Sequence, residues 1–234
     1  QSMPGDYAPA EVPSVWNQSM PGGPTDRVAA WLAGLAGVAP DGLSVGQTQK
    51  HFRKWKRQRP GHRSFTVLRH PAPRIHAAFC THILPASGPQ VFGEIRETLR
   101  TRYDLPIPGD GPGAAYGPAE HRRAFTGFLR FVKGNLGGQT SLRVDPSWAT
   151  QSALLQGMGQ FMQPDMILRE AGLVAGLPHL AAQVGCEGGI PIQPDAPADP
   201  VGLDAIHDAE IEALIREIYQ RDYMMFGFDS YAPA

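Results

Sequence analysis

Residues 64–69 read Ser-Phe-Thr-Val-Leu-Arg, a short apolar and β-branched run bounded by Gly61 and Pro71. A short run of this kind between turn residues is how a buried parallel strand is written, and that burial belongs to sheets covered by helices. The covering helix follows at once. Pro73 suits a first helical turn, and residues 74–84 place Ile75, Ala78, Phe79 and Ile83 on one side. A buried strand leading into an apolar-faced helix predicts an α/β sandwich, with a mainly parallel central sheet flanked by helices.

The rest of the chain agrees with that class. Residues 1–25 are polar, rich in Pro and Gly, and repeat Gln-Ser-Met-Pro-Gly at 1–5 and 18–22, so they are expected to form an N-terminal arm or loop ahead of a domain over 26–234. With Thr25 as a cap, Val28, Trp31, Leu32 and Leu35 predict a first helix that fades at Gly37. Ser44 with Gln47 resembles a capping box opening a basic helix that ends near Gly61. Ser87 with Gln90 predicts a capped helix carrying Val91, Ile95, Leu99 and Tyr103, and Phe125, Phe128, Leu129 and Val132 predict another, closed by Gly134. Helix over 149–158, a buried strand over 166–169, helix over 171–184, a linker over 191–200 and one amphipathic helix over 205–225 complete the expectation.

The net charge of −1 conceals an asymmetry. Residues 42–93 contain no acid but nine Lys or Arg and five of the eight histidines, whereas residues 187–229 carry ten acids against Arg216 and Arg221. The basic stretch calls for an anionic ligand, or for a solvated helix face answered by the acidic region. Nucleic acid is the weaker form of the first option, because Phe52 and Trp55 at helical spacing fit a core better than a stacking platform. Cys80 and Cys186 form no CxxC and no metal-ligand spacing, so two buried thiols in a reducing compartment and no metal are expected. No apolar run approaches the roughly 20 residues of a membrane span and the first residues lack a signal-peptide layout, which predicts a cytoplasmic protein. HExxH is absent, which leaves a metal-dependent hydrolase of that type without support.

In parallel α/β sheets ligands sit beyond the carboxyl ends of the strands, and Arg69 stands at such an end. A guanidinium there can hold a phosphate by paired charge-assisted hydrogen bonds, or pair with a carboxylate to fix the strand end. His70 beside it can contact the same ligand or cap the next helix, and Arg69 is expected to lower its pKa. Trp16 to Asp26, with Gly22, Gly23 and Thr25 ahead of a helix, is either a phosphate-binding loop or a connector.

Val67-Leu-Arg-His-Pro-Ala-Pro-Arg-Ile-His-Ala-Ala-Phe79 resembles the sulfotransferase motif in which a strand ends in Arg-Asp-Pro, with a second Arg five places and a Ser eight places after the first. Asp145-Pro-Ser-Trp-Ala-Thr-Gln151 is similar to the Asp-x-His-Trp-x-x-Gln stretch of the carbohydrate-sulfotransferase branch. Met166-Ile-Leu-Arg-Glu-Ala-Gly-Leu173 and Ile218-Tyr-Gln-Arg-Asp-Tyr-Met-Met-Phe-Gly-Phe228 resemble its later strand and its closing helix. The resemblance implies a P-loop-like fold that binds 3′-phosphoadenosine 5′-phosphosulfate through Arg69 and Arg74, with Gly22, Gly23 and Thr25 in the loop facing the phosphosulfate. It also implies transfer of the sulfuryl group to a hydroxyl or amine of a carbohydrate or small molecule. A base must take the acceptor's proton, and His51 is the candidate by its position on the helix preceding the Arg69 strand. His70, Ala77 and Ser147 replace the usual Asp, Ser and His, and no Lys occurs in residues 16–26. The loop is therefore a degenerate clamp, or lies upstream of Gln1, or catalysis is lost and a non-catalytic binding domain remains.

Overall fold

The computed structural model describes residues 6–7, 14–37, 44–45, 49–186, 191–193 and 199–232. They fall into two compact units, one built from 1–69 and 153–196, the other from 70–152 and 197–234.

The first unit is α/β. Its elements are β1 (Asp6–Tyr7), β2 (Val15–Asn17), α1 (Thr25–Ala36), β3 (Ser44–Val45), α2 (Gln49–Arg57) and β4 (Arg63–Leu68). The strand order is β3-β1-β2-β4-β5, with β5 supplied by Met166–Arg169. β2, β4 and β5 are parallel, while β1 pairs antiparallel with β2 and β3. The segment expected to be an arm thus contributes two strands. Side chains of successive strand residues alternate between faces, so Val15, Phe65 and Val67 meet Val28, Trp31 and Leu32 of α1 in one cluster. Trp16 points the other way and meets Trp55 of α2 edge-on, ring centroids 5.3 Å apart. Trp55 is buried while Arg53, Lys54, Lys56 and Arg57 are exposed, as an amphipathic basic helix requires.

The buried strand at 64–69 is realised as β4. β5 differs from its expectation: Ile167 is 48% exposed, because β5 is the outer strand of the order and only its Met166 and Leu168 face the cluster formed with α1 and α7 (Leu173–Gln183). Ser44 is another departure. It pairs with Tyr7 in a strand instead of capping a helix, and α2 begins five residues later.

The second unit is helical. It comprises α3 (Pro71–Ala78), which continues as a π-helical turn over Phe79–Ile83, α4 (Gly93–Thr101) and α5 (Pro118–Leu136). The start of α6 (Gln151–Gly159), α8 (Ala209–Ile218) and α9 (Gln220–Phe226) complete it. Ile75, Phe79, Ile83, Phe125, Phe128, Leu129, Trp148, Ile211 and Ile215 form its core. Pro71, not Pro73, occupies the first helical position, and α4 starts after Phe92 with no cap from Ser87. α5 runs past Gly134 to Leu136, because its C-terminal turn closes on Gly137. The single helix expected over 205–225 breaks at Tyr219, where the φ of −108° and ψ of 26° leave the helical region. Cys80 is buried and Cys186 only partly so, and both are free thiols. Among the described residues no helix is long and apolar enough to cross a membrane.

Candidate phosphate-binding site

The carboxyl ends of β2, β4 and β5 bring three candidate segments to one edge of the α/β unit. Arg69 follows β4 directly, and its Nε lies 3.1 Å from Oε2 of Glu170, the residue following β5. Arg27, in the first turns of α1, lies 3.0 Å from Oε1 of the same carboxylate and donates its Nε–H to the Gln193 carbonyl at 2.6 Å. One carboxylate is thus gripped by two guanidinium groups at the end of the central parallel strand. Neither Arg27 nor Glu170 stands out in the sequence as a site residue, because their meeting depends on the parallel pairing of β4 with β5.

The loop from β2 to α1 is tied to β4, since the Gln18 N–H donates to the Phe65 carbonyl at 2.7 Å and the Thr66 hydroxyl donates to the Gln18 carbonyl at 2.6 Å. Gly22 sits at φ +76°, in the left-handed region that glycine enters freely. Gly23 donates its N–H to the Met20 carbonyl at 2.8 Å, and a Cβ on Gly23 would lie 2.9 Å from that same oxygen, so the turn needs a glycine. Thr25 donates its N–H to the Gly23 carbonyl and is the first residue of α1 rather than its cap. The cavity under this loop is about 10 Å³, room for roughly one water. The Gln18 side chain is fully buried, and neither its oxygen nor its nitrogen has a hydrogen-bond partner among the described residues.

Arg74 belongs to the helical unit. It is 1% exposed, and its Nη1 and Nη2 donate to the carbonyls of Ala149 and Pro146 at 2.7 and 2.9 Å. The same stretch, 145–152, is held by two residues of the closing helical segment. The Tyr219 hydroxyl donates to the Trp148 carbonyl at 2.8 Å, and the Asp222 carboxylate accepts the N–H groups of Gln151 and Ser152 at 2.7 and 2.9 Å. Asp145 closes the front of the stretch, accepting from the N–H and hydroxyl of Ser147. Trp148 is buried and donates its Nε1–H to Asn135 of α5 at 2.9 Å. Arg74, the Trp148 stretch and the Tyr219–Asp222 turn, which the sequence places in three separate motifs, therefore form one polar joint.

His70 caps α3: its Nδ1 accepts the Ala72 N–H at 3.1 Å and its Nε2 donates to the Asp229 carbonyl at 3.0 Å. The His51 side chain lies outside the described residues, and its backbone sits in α2. No family model matches the chain, and no curated protein and no solved structure matches it either.

Proposed function

We propose that the chain is a sulfotransferase-type protein that binds 3′-phosphoadenosine 5′-phosphosulfate at the carboxyl edge of β2, β4 and β5 and transfers its sulfuryl group to a hydroxyl or amine of a carbohydrate or small molecule. The observation that carries this reading is the placement of Arg69 at the end of β4 beside Arg27, with an anionic carboxylate already held between them. A phosphate presents the same paired oxygens to a guanidinium, with more charge. In the transfer the acceptor oxygen or nitrogen bonds to sulfur, the bond from sulfur to the 5′-phosphate oxygen breaks with its electron pair on that phosphate, and a base takes the acceptor proton.

A non-catalytic binding domain is the second reading, and the β2–α1 loop favours it. Residues 18–24 contain no Lys, Pro21 and Pro24 have no N–H to offer, and the N–H groups of Gly23 and Thr25 donate within the loop. That loop fits the phosphosulfate end of the donor less well than Arg69 fits its phosphate end. Calorimetric titration with adenosine 3′,5′-bisphosphate tests binding, and a sulfuryl-transfer assay separates the two readings. One site of micromolar affinity is expected, about 10- to 100-fold weaker in Arg69→Ala, the worth of a lost charge-assisted hydrogen bond. Glu170→Gln, which releases Arg69 from a competing carboxylate, is expected to tighten it. No binding at millimolar concentration, or equal affinity in all three proteins, overturns the assignment.

A further inference from the structure

The core of the helical unit contains a polar cluster that the reading above leaves unused. His76 Nε2 and His121 Nε2 lie 2.8 Å apart, and Cys80 Sγ lies 3.6 Å from the first and 3.9 Å from the second. All three residues are buried, in an apolar setting of Phe79 and Phe125. Polar groups are kept in such a place only where something satisfies them.

We propose that His76, Cys80 and His121 bind a transition-metal ion, Zn²⁺ by preference, joining α3 to α5. Three features of the geometry point to this. The point equidistant from the three donor atoms lies about 2.0 Å from each, against usual bonds of about 2.0–2.1 Å from zinc to nitrogen and about 2.3 Å to sulfur. Each imidazole has its other nitrogen held by an oxygen, His76 Nδ1 by Asp199 Oδ2 at 3.3 Å and His121 Nδ1 by the Tyr116 hydroxyl at 3.1 Å. That is the outer shell that ligating histidines use, and it turns both Nε2 lone pairs toward the same point. Finally, Cys80 lies in the π-helical turn at Phe79–Ile83, a local widening frequent at functional sites.

A mixed imidazole and thiolate set selects zinc over magnesium or calcium. The Cys80 proton leaves to solvent on binding, and the thiolate together with Asp199, which also contacts Cys80, balances the two charges of the ion. Three protein ligands leave one tetrahedral position for a water or a substrate group. Asp199 is about one-third exposed and gives the cluster its contact with solvent.

Titration of the full, chelator-washed chain with Co²⁺ is the test. One equivalent should bind with the charge-transfer absorption of a cobalt–thiolate bond, and Zn²⁺ should displace it. Cys80→Ser should lose that absorption while Cys186→Ser keeps it. Asp199→Asn, which leaves all three ligands in place, should bind Zn²⁺ about 10- to 100-fold more weakly. A folded wild-type chain that takes up no stoichiometric Co²⁺, or shows no thiolate absorption, overturns the proposal, as does an absorption that depends on Cys186.

Discussion

At the scale of single residues, His70 shows how a side chain in the expected place takes a particular role. It follows Arg69, yet the main cause of its lowered pKa is burial, among Tyr223, Phe228 and Tyr231. Glu212 and the Asp229 carbonyl pull its pKa up, His207 and Arg216 push it down, and desolvation wins. The hydrogen bonds agree: a cap that accepts at Nδ1 needs the neutral ring. Because the folded pKa lies below the ordinary 6.5, the unfolded chain binds this proton more readily. The stability contribution is therefore complete above about pH 6.5 and is lost as pH falls through the folded value, with a slope of at most about 1.4 kcal/mol per pH unit. His70→Asn keeps a capping side chain that does not titrate. Urea unfolding of this variant should show a shallower loss of stability below pH 6.5 than the parent, and an unchanged slope would remove His70 from the account.

At the scale of elements, what the sequence made legible was local. β4, α1, α3 and α5 follow from apolar runs and helical spacing, which report burial directly. Ser44 misleads because a Ser three residues before a Gln fits a helix cap and equally a strand end, and its pairing with Tyr7 spans 37 residues of chain. The break at Tyr219 is equally invisible: the apolar face continues through it, and the residues at the break, Tyr219 and Asp222, bond to residues 148–152, about 70 positions away. The same limit hid the Arg27–Glu170–Arg69 grouping and the approach of His121 to His76, each of which joins segments far apart in the chain. Asp222 ranks as the strongest of these joints. It is fully buried and supplies the cap of α6 from another element, so Asp222→Ala leaves two buried N–H groups without acceptors. The expected loss is about 2–4 kcal/mol in equilibrium urea unfolding, the sum of a missing cap and unsatisfied donors, and a loss below about 0.5 kcal/mol would show that water replaces the carboxylate.

At the scale of the whole molecule, the two units carry separate cores. Val15, Phe65 and Val67 with α1 and α7 make one; Phe79, Phe125, Phe128 and Trp148 with α8 make the other, which is the larger cluster among the described residues. The chain passes between the units at 69/70, 152/153 and 196/197, so neither is a continuous stretch and composition gave no sign of the division. Buried apolar area sets most of the free energy of opening, and unequal cores should open unequally. Native-state amide exchange in rising urea should therefore give one opening free energy for amides of β2, β4, α1 and α7, and a higher one for α3, α5 and α8. Zn²⁺ bound at His76, Cys80 and His121 should raise the second value alone, since a ligand stabilises only the unit whose folded form it binds. A single isotherm for both sets of amides, moved as one by Zn²⁺, would mean that the two cores unfold as one cooperative body despite their separate packing.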